Sequence, residues 1–227
     1  MTFDDLPATT LPAAFGTFTQ LQVRREAGVL SVGLDRVAKR NAIGVEMTLE
    51  IERVALAARH DEEVRVIVFH GQGGQFSAGM DMKDFFDRSE RDAGTLRRAR
   101  AATDNWRARL LRQLPQVRIC AVQGYCLGGA LPILECSDIV VAADDATFGL
   151  PEINFGFVPG GPIAKSAGRA LPPRAAAYVA LTGRPFDAWQ AQRWGLVSHV
   201  LPVAELAFET LRLAREIAAR LSLANHD

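Results

Sequence analysis

Three cysteines in 227 residues leave no disulfide framework to infer. Cys120, Cys126 and Cys136 form no C-x-x-C pair and no metal-binding spacing, so buried reduced thiols are expected. Histidine is also scarce. His60, His70, His199 and His226 are scattered, with no H-E-x-x-H and no close pair, so no metal site is expected. Net charge is missing as well: Lys plus Arg and Asp plus Glu are equal at 26 each. That balance removes any overall electrostatic reason to expect a nucleic acid or an anionic membrane as partner. Any phosphate recognition must therefore be local. No apolar run reaches the roughly 18 residues that a membrane span needs. The opening Met1-Thr2-Phe3-Asp4-Asp5-Leu6-Pro7 is acidic and lacks an apolar signal core. No secretory leader is expected, and a cytoplasmic location is the default.

What is present suits one α/β domain with a sizeable core: 48% of residues are apolar, which argues against disorder. Residues 1 to 17 hold turn-formers and no sustained period, so a loose N-terminal tail is expected. Leu21 to Arg25 and Val29 to Leu34 read as strands about a Glu26-Ala27-Gly28 turn. Val64 to Phe69, Arg118 to Val122 and Ile139 to Ala142 read as further strands. Gly44 to His60 carries Met47, Ile51, Val54, Leu56 and Ala58 at helical spacing. Thr95 to Leu114 reads as a long basic helix stopped by Pro115. Its Arg97, Arg98, Arg100, Arg107, Arg109 and Arg112 are expected on a solvated face. A helix is expected to begin near Gly129, with Pro132 in its first turn, where a missing N–H costs little. Pro172 to Leu181, Asp187 to Arg193 and Val203 to Leu221 complete the helices.

The chemistry is expected in three segments. Phe76-Ser77-Ala78-Gly79-Met80-Asp81 and Gly124-Tyr125-Cys126-Leu127-Gly128-Gly129-Ala130 each follow an apolar strand and lead towards a helix. Glycine lets backbone approach a ligand closely, and peptide N–H groups at a helix start point outward unpaired. Two such donors converging on one carbonyl would form an oxyanion hole. Such turns are usually plain connectors, and a third segment singles these out. Within Ala146 to Gly161, Glu152 is a lone carboxylate among apolar, glycine and proline residues. Apolar surroundings raise a carboxyl pKa, which suits proton transfer near neutral pH.

In this order, and with Lys39-Arg40-Asn41-Ala42-Ile43 ahead of them, the segments resemble the crotonase, or enoyl-CoA hydratase/isomerase, superfamily. The resemblance runs from about Phe18 to the end. Ala78 to Phe86 and Ala142 to Gly156 are similar to the hydroxycinnamoyl-CoA (feruloyl-CoA) hydratase-lyases within it. The fold this implies is an α/β spiral of repeated ββα units over residues 18 to 200. A C-terminal helical segment over 201 to 227 would follow, shortened relative to the family. The resemblance implies an acyl-CoA thioester as substrate, with coenzyme A part of that substrate and no permanently bound cofactor. It also implies a homotrimer or a dimer of trimers. By match, the Met80 and Gly129 N–H groups form the oxyanion hole and Glu152 is the general acid/base. Lys39, Ala78, Met80, Met82, Gly129, Pro151 and Phe155 would line the coenzyme A path. Phe85, Pro132 and Gly160 would lie near the acyl group.

The chain also departs from that pattern. Hydratases carry a second glutamate where this chain has Pro132, and the lyases carry serine there. Glu135, one turn on, is expected to be a partly exposed structural residue. Phe85 stands where the lyases hold a phenol with tyrosine, so an apolar acyl group is expected. Hydration of an enoyl-CoA, extended to retro-aldol cleavage, is the leading expectation. A double-bond isomerase and a non-catalytic acyl-CoA-binding protein are the alternatives.

Overall fold

The computed structural model describes residues 2–7, 11–86 and 92–224. Each apolar run becomes a strand of one six-stranded sheet. These are β1 (Leu21–Glu26), β2 (Val29–Leu34), β3 (Val66–Gly71), β4 (Val117–Val122), β6 (Ile139–Ala143) and β9 (His199–Leu201), in that spatial order. Only β1 runs antiparallel to its neighbour, through the tight turn at Gly28; the others are parallel. A second sheet is built from pieces too short to show any periodicity: β5 (Tyr125–Leu127), β7 (Thr147–Gly149) and β8 (Phe186–Asp187). The chain thus lays a strand in the large sheet and then one in the small sheet, β4 then β5, β6 then β7. Isolated bridges Ser77↔Cys126 and Ile43↔Met80 continue the pattern past β3. This is the spiral of ββα units that the resemblance implied.

Strand alternation divides the core. Ile67 and Phe69 face the main core, with α1 (Val45–Arg59), Trp106 and Leu110; α3 (Ala93–Asn105), beyond α2 (Met82–Phe86), packs with Phe85 and Val45 in a smaller cluster. Val66, Val68, Ile119, Ala121 and Val141 face the other way. There α8 (Val203–Ala224) covers them with Leu206, Leu211, Ala214 and Ala218. Between these lie α4 (Leu131–Glu135), α5 (Gly161–Ala170), α6 (Pro173–Thr182) and α7 (Ala188–Arg193). Sequence reading assigned no helix over α5, where Gly161, Gly168 and Pro162 argue against one. Pro162 sits in the first turn, where it is tolerated.

Two expectations need correction. The described part of the first 17 residues is not loose: Phe3, Leu6 and Phe15 are buried, and Phe3 stacks on His70 at 4.0 Å between ring centroids. Just beyond it, buried Glu50 on α1 accepts Thr19 N–H at 2.6 Å and Gln20 N–H at 2.9 Å. The long basic helix is present without a gap but is not α-helical throughout. After Asn105 it passes into a π turn, Trp106–Leu110, and then a 3₁₀ turn, Leu111–Gln113. Among the described residues, no helix is long and apolar enough to cross a membrane. Nor are three His, Cys, Asp or Glu side chains among them placed to share a metal ion.

Candidate active site

The first glycine turn is held by Asn41. Its backbone is left-handed at φ 53°, a conformation asparagine tolerates. Its fully buried side chain donates to the carbonyls of Gln72 (2.9 Å) and Gln75 (2.7 Å) and accepts from Arg36 N–H (2.9 Å). Ser77 Oγ donates to the Asn41 carbonyl at 2.7 Å and accepts from Gly79 N–H at 3.1 Å. The loop is then laced to the second motif: Ser77 N–H donates to Tyr125 O, and Leu127 N–H returns to Ser77 O.

Past Gly79 the direction of the backbone groups is decided by one bridge. Ile43 N–H donates to Gly79 O at 2.8 Å, and Asp81 N–H donates to Ile43 O at 3.0 Å. Both flanking groups of Met80 point at Ile43, so the Met80 N–H points the opposite way. On that side lies Gly129. A Cβ built on Gly129 would stand 3.2 Å from Met80 N, and one on Gly79 would stand 3.4 Å from Gly129 N. Gly79, at φ 93°, also passes so close to the Leu127 carbonyl that a Cβ would stand 2.7 Å from it. Here glycine is required twice, by conformation and by space.

Asp81 locks the loop from outside. Its carboxylate takes Arg36 Nη1 at 2.7 Å and Asp84 N–H at 3.1 Å. Partial burial pushes its pKa up, but the Asp84 N–H and Arg36 outweigh burial and the net shift is downward. Asp84 in turn accepts Val45 N–H at 2.8 Å, capping the start of α1.

Glu152 enters from the 3₁₀ turn Pro151–Phe155, which follows β7. Its side chain is buried, and Oε1 lies 2.7 Å from where a Cβ on Gly128 would be. Oε2 is buried with no hydrogen-bond partner among the described residues. Burial raises the Glu152 pKa; its own backbone N–H and the charge of Arg107 oppose that rise without cancelling it. A buried carboxylate with one free oxygen, beside closely spaced peptide donors, is equipped to move a proton next to a carbonyl.

Arg107 is the residue that sequence reading misplaced. It is 5% exposed, and its Nη2 donates to Gly129 O at 2.7 Å and contacts Met80 Sδ at 2.6 Å. Arg112, placed on the same solvated face, forms an ion pair with Glu135. The Glu135 side chain is only 4% exposed, against the expectation of a partly exposed residue; Ser166 Oγ reaches it at 3.3 Å.

The remaining candidates are scattered around this centre. Ala78 N–H donates to Arg40 O at 2.9 Å, which joins the loop to the Lys39–Ile43 segment. Lys39 is exposed and adds to the positive field on Asp81. Met82 is exposed at the start of α2, Pro151 is half-buried, and Phe155 is 74% exposed. Gly160 precedes α5 with open space where a Cβ would stand. Pro132 is buried within α4. Phe85 is buried against Val45, Leu96 and Ala99, with Leu49 and Met80 beside them, and presents little surface to any ligand. Size alone does not locate the centre. A groove of about 640 Å³ lined by Glu46, Leu49, Glu52, Arg53 and Arg98 lies on α1 and α3 and includes none of Met80, Gly129 and Glu152.

The family model described as enoyl-CoA hydratase/isomerase matches residues 24–226, nearly the whole chain. The chain belongs to the enoyl-CoA hydratase/isomerase family. It is 35% identical over 205 residues to hydroxycinnamoyl-CoA hydratase-lyase of Pseudomonas fluorescens, covering 89% of this chain and 74% of that one. It is 33% identical over 205 residues to carnitinyl-CoA dehydratase of Escherichia coli K12, covering 90% and 76%. Among solved structures, the enoyl-CoA hydratase of Bacillus anthracis superposes with a TM-score of 0.79 at 27% identity, over 88% of this chain and 77% of that one. The crotonase-type fold and the family's CoA-thioester chemistry follow together.

Proposed function

We propose that this enzyme hydrates an enoyl-CoA thioester, and that the same centre cleaves the hydrated product by retro-aldol chemistry. The observation that carries this is buried Glu152, with a free oxygen and a raised pKa, set against Gly128, whose neighbour Gly129 faces Met80. In this reading the N–H groups of Met80 and Gly129 bind the thioester oxygen. Each such donor is worth about 3–4 kcal/mol of barrier in enzymes where one has been removed. Ionised Glu152 takes a proton from water as the water oxygen bonds to Cβ. The double-bond electrons move onto the thioester as an enolate, and Glu152 returns the proton to Cα. For cleavage, the carboxylate takes the β-hydroxyl proton. The Cα–Cβ bond breaks, an aldehyde leaves, and protonation of the second enolate gives acetyl-CoA. Lys39, Ala78, Met82, Pro151 and Phe155 line the coenzyme A path. The exposed apolar side chains Phe155, Val158 and Leu181 support association into a trimer or a dimer of trimers.

A second reading is favoured by the fate of Glu135. With its carboxylate committed to Arg112, Glu152 is the one carboxylate beside Gly128 among the described residues, and one carboxylate suffices for a double-bond isomerase. Incubation with enoyl-, hydroxyacyl- and cinnamoyl-CoA thioesters, read by mass spectrometry, separates the readings. Hydration appears as the mass of one added water, and cleavage as acetyl-CoA plus aldehyde. A product of unchanged mass and shifted double bond marks the isomerase, and no turnover of any thioester overturns both.

A further inference from the structure

We infer that Arg107 is a positioning residue for this chemistry, holding Met80 and Gly129 in register through one guanidinium nitrogen. Nη2 lies 2.7 Å from the Gly129 carbonyl and 2.6 Å from Met80 Sδ. These contacts fall on the two loops whose N–H groups would hold the thioester oxygen, so the inference rests on the proposed function. Arg107 comes from a third element and adds to the Ser77–Tyr125 and Leu127–Ser77 backbone bonds between the two loops. Fixing the Gly129 carbonyl fixes the rotation of that glycine, which has no side chain to do it.

How the guanidinium comes to point inward is visible in the helix. Arg100 is seven residues earlier, close to two α-helical turns, and it is exposed. Buried Thr103 is four residues earlier and buried Leu96 eleven, so Arg107 lies at the border of the exposed and buried faces. It sits in the π turn Trp106–Leu110, and such single turns recur at functional sites. The Arg107 guanidinium carbon lies 4.8 Å from the Trp106 ring centroid. A buried cation held chiefly by a carbonyl and a thioether is costly to the fold, and a role in the reaction accounts for it.

The charge has a second consequence. Burial lowers the Arg107 pKa to about 10, while Asp104 and Glu152 hold it up, so the group stays cationic at neutral pH. Arg107 is the charged group that acts on Glu152, against the effect of burial. Gly128, packed against Oε1 of Glu152, adds no titratable group. The cation therefore favours the ionised form and keeps Glu152 a proton acceptor to lower pH than burial alone would allow.

The test compares Arg107→Met and Arg107→Lys with the parent in two measurements. One is the pH profile of kcat/KM; the other is the carboxyl ¹³C titration of Glu152, which needs no substrate. Arg107→Met is expected to lower kcat by about 10- to 100-fold through displacement of the donors. It should also move the acid limb of the profile, and the Glu152 titration, to higher pH. Arg107→Lys keeps the charge and should restore the limb while recovering kcat only in part. If Arg107→Met does not fold, Arg107→Gln removes the charge, keeps a donor, and carries the same expectation for the limb. A rate loss equal at every pH, with the Glu152 titration unmoved, would overturn the inference, as would a parent-like rate and profile. Absence of turnover in the parent would overturn the proposed function instead, and the titration would still decide the role of Arg107.

Discussion

Gly128 and Glu152 leave no room for a methyl group between them: a Cβ built on Gly128 would stand 2.7 Å from Oε1 of Glu152. Gly128 also sits at φ 45°, in the left-handed region. One glycine therefore sets both the turn into the second motif and the seat of the carboxylate. Gly128→Ala should cost roughly 1–2 kcal/mol from backbone conformation alone. That corresponds to a fall in Tm of about 2–8 °C for a domain of this size. Turnover should fall further than stability accounts for, because the carboxylate must move. A variant with parent-like kcat would show that Glu152 acts from elsewhere.

Glu152→Gln should lower turnover by about 10²- to 10⁴-fold, the usual loss for a general acid/base. Its stability carries a separate signature. The Glu152 pKa is raised in the fold, chiefly by burial. Below the ordinary carboxylate range both folded and unfolded chains hold the proton, and the residue is neutral in both. As pH rises between the ordinary and the raised value, the unfolded chain ionises first and the fold loses stability. Glu152→Gln lacks that loss, so its Tm relative to the parent should climb across this window and level off above it. A constant difference from about pH 4 to about pH 8 would mean that the carboxyl is not perturbed.

What could be read in the sequence followed from how much local signal each element carries. β2 and β3 are apolar runs of six residues and α1 is a 15-residue helix, so both periods show. β5, β7, β8 and β9 are two or three residues long, and no alternation can show in so few. The spiral itself came from resemblance. Glu152, Met80 and Gly129 could be nominated as candidates because glycine spacing and an isolated carboxylate are local features; the roles given to them came from the resemblance. Arg107 was not, since helical periodicity places it between exposed Arg100 and buried Leu96 and Thr103, and a charged residue there reads as solvated. Phe3 and Phe15 pack by tertiary contact alone, and an isolated aromatic in an aperiodic stretch carries no direction.

Glu135→Gln should separate structure from catalysis. Glu135 pairs with Arg112, and Arg169 lies 4.0 Å away. The Arg112 side chain is 25% exposed, so water replaces part of the lost partner. A destabilisation of about 1.5–3 kcal/mol is expected, the range for a hydrogen bond to a charged group. The folded variant should keep its kcat. A loss of more than tenfold in kcat with the melting temperature intact would instead make Glu135 the second carboxylate of a hydratase.

Phe85→Tyr tests whether position 85 steers substrate choice at all. The sequence suggests that it does, by analogy with a tyrosine that holds a phenol. The structure buries Phe85 to 3% exposure among Val45, Leu96 and Ala99. A hydroxyl added inside that cluster meets apolar side chains, and burying one without a partner costs about 1–3 kcal/mol. The ring therefore acts as packing under α2 and α3, and Met80 rests against the same cluster. Phe85→Tyr should lower the melting temperature and reduce turnover of every thioester alike, through Met80, leaving the preference between feruloyl- and cinnamoyl-CoA unchanged. An unchanged melting temperature with a gain selective for feruloyl-CoA would place the hydroxyl in the acyl site and restore position 85 as a specificity residue.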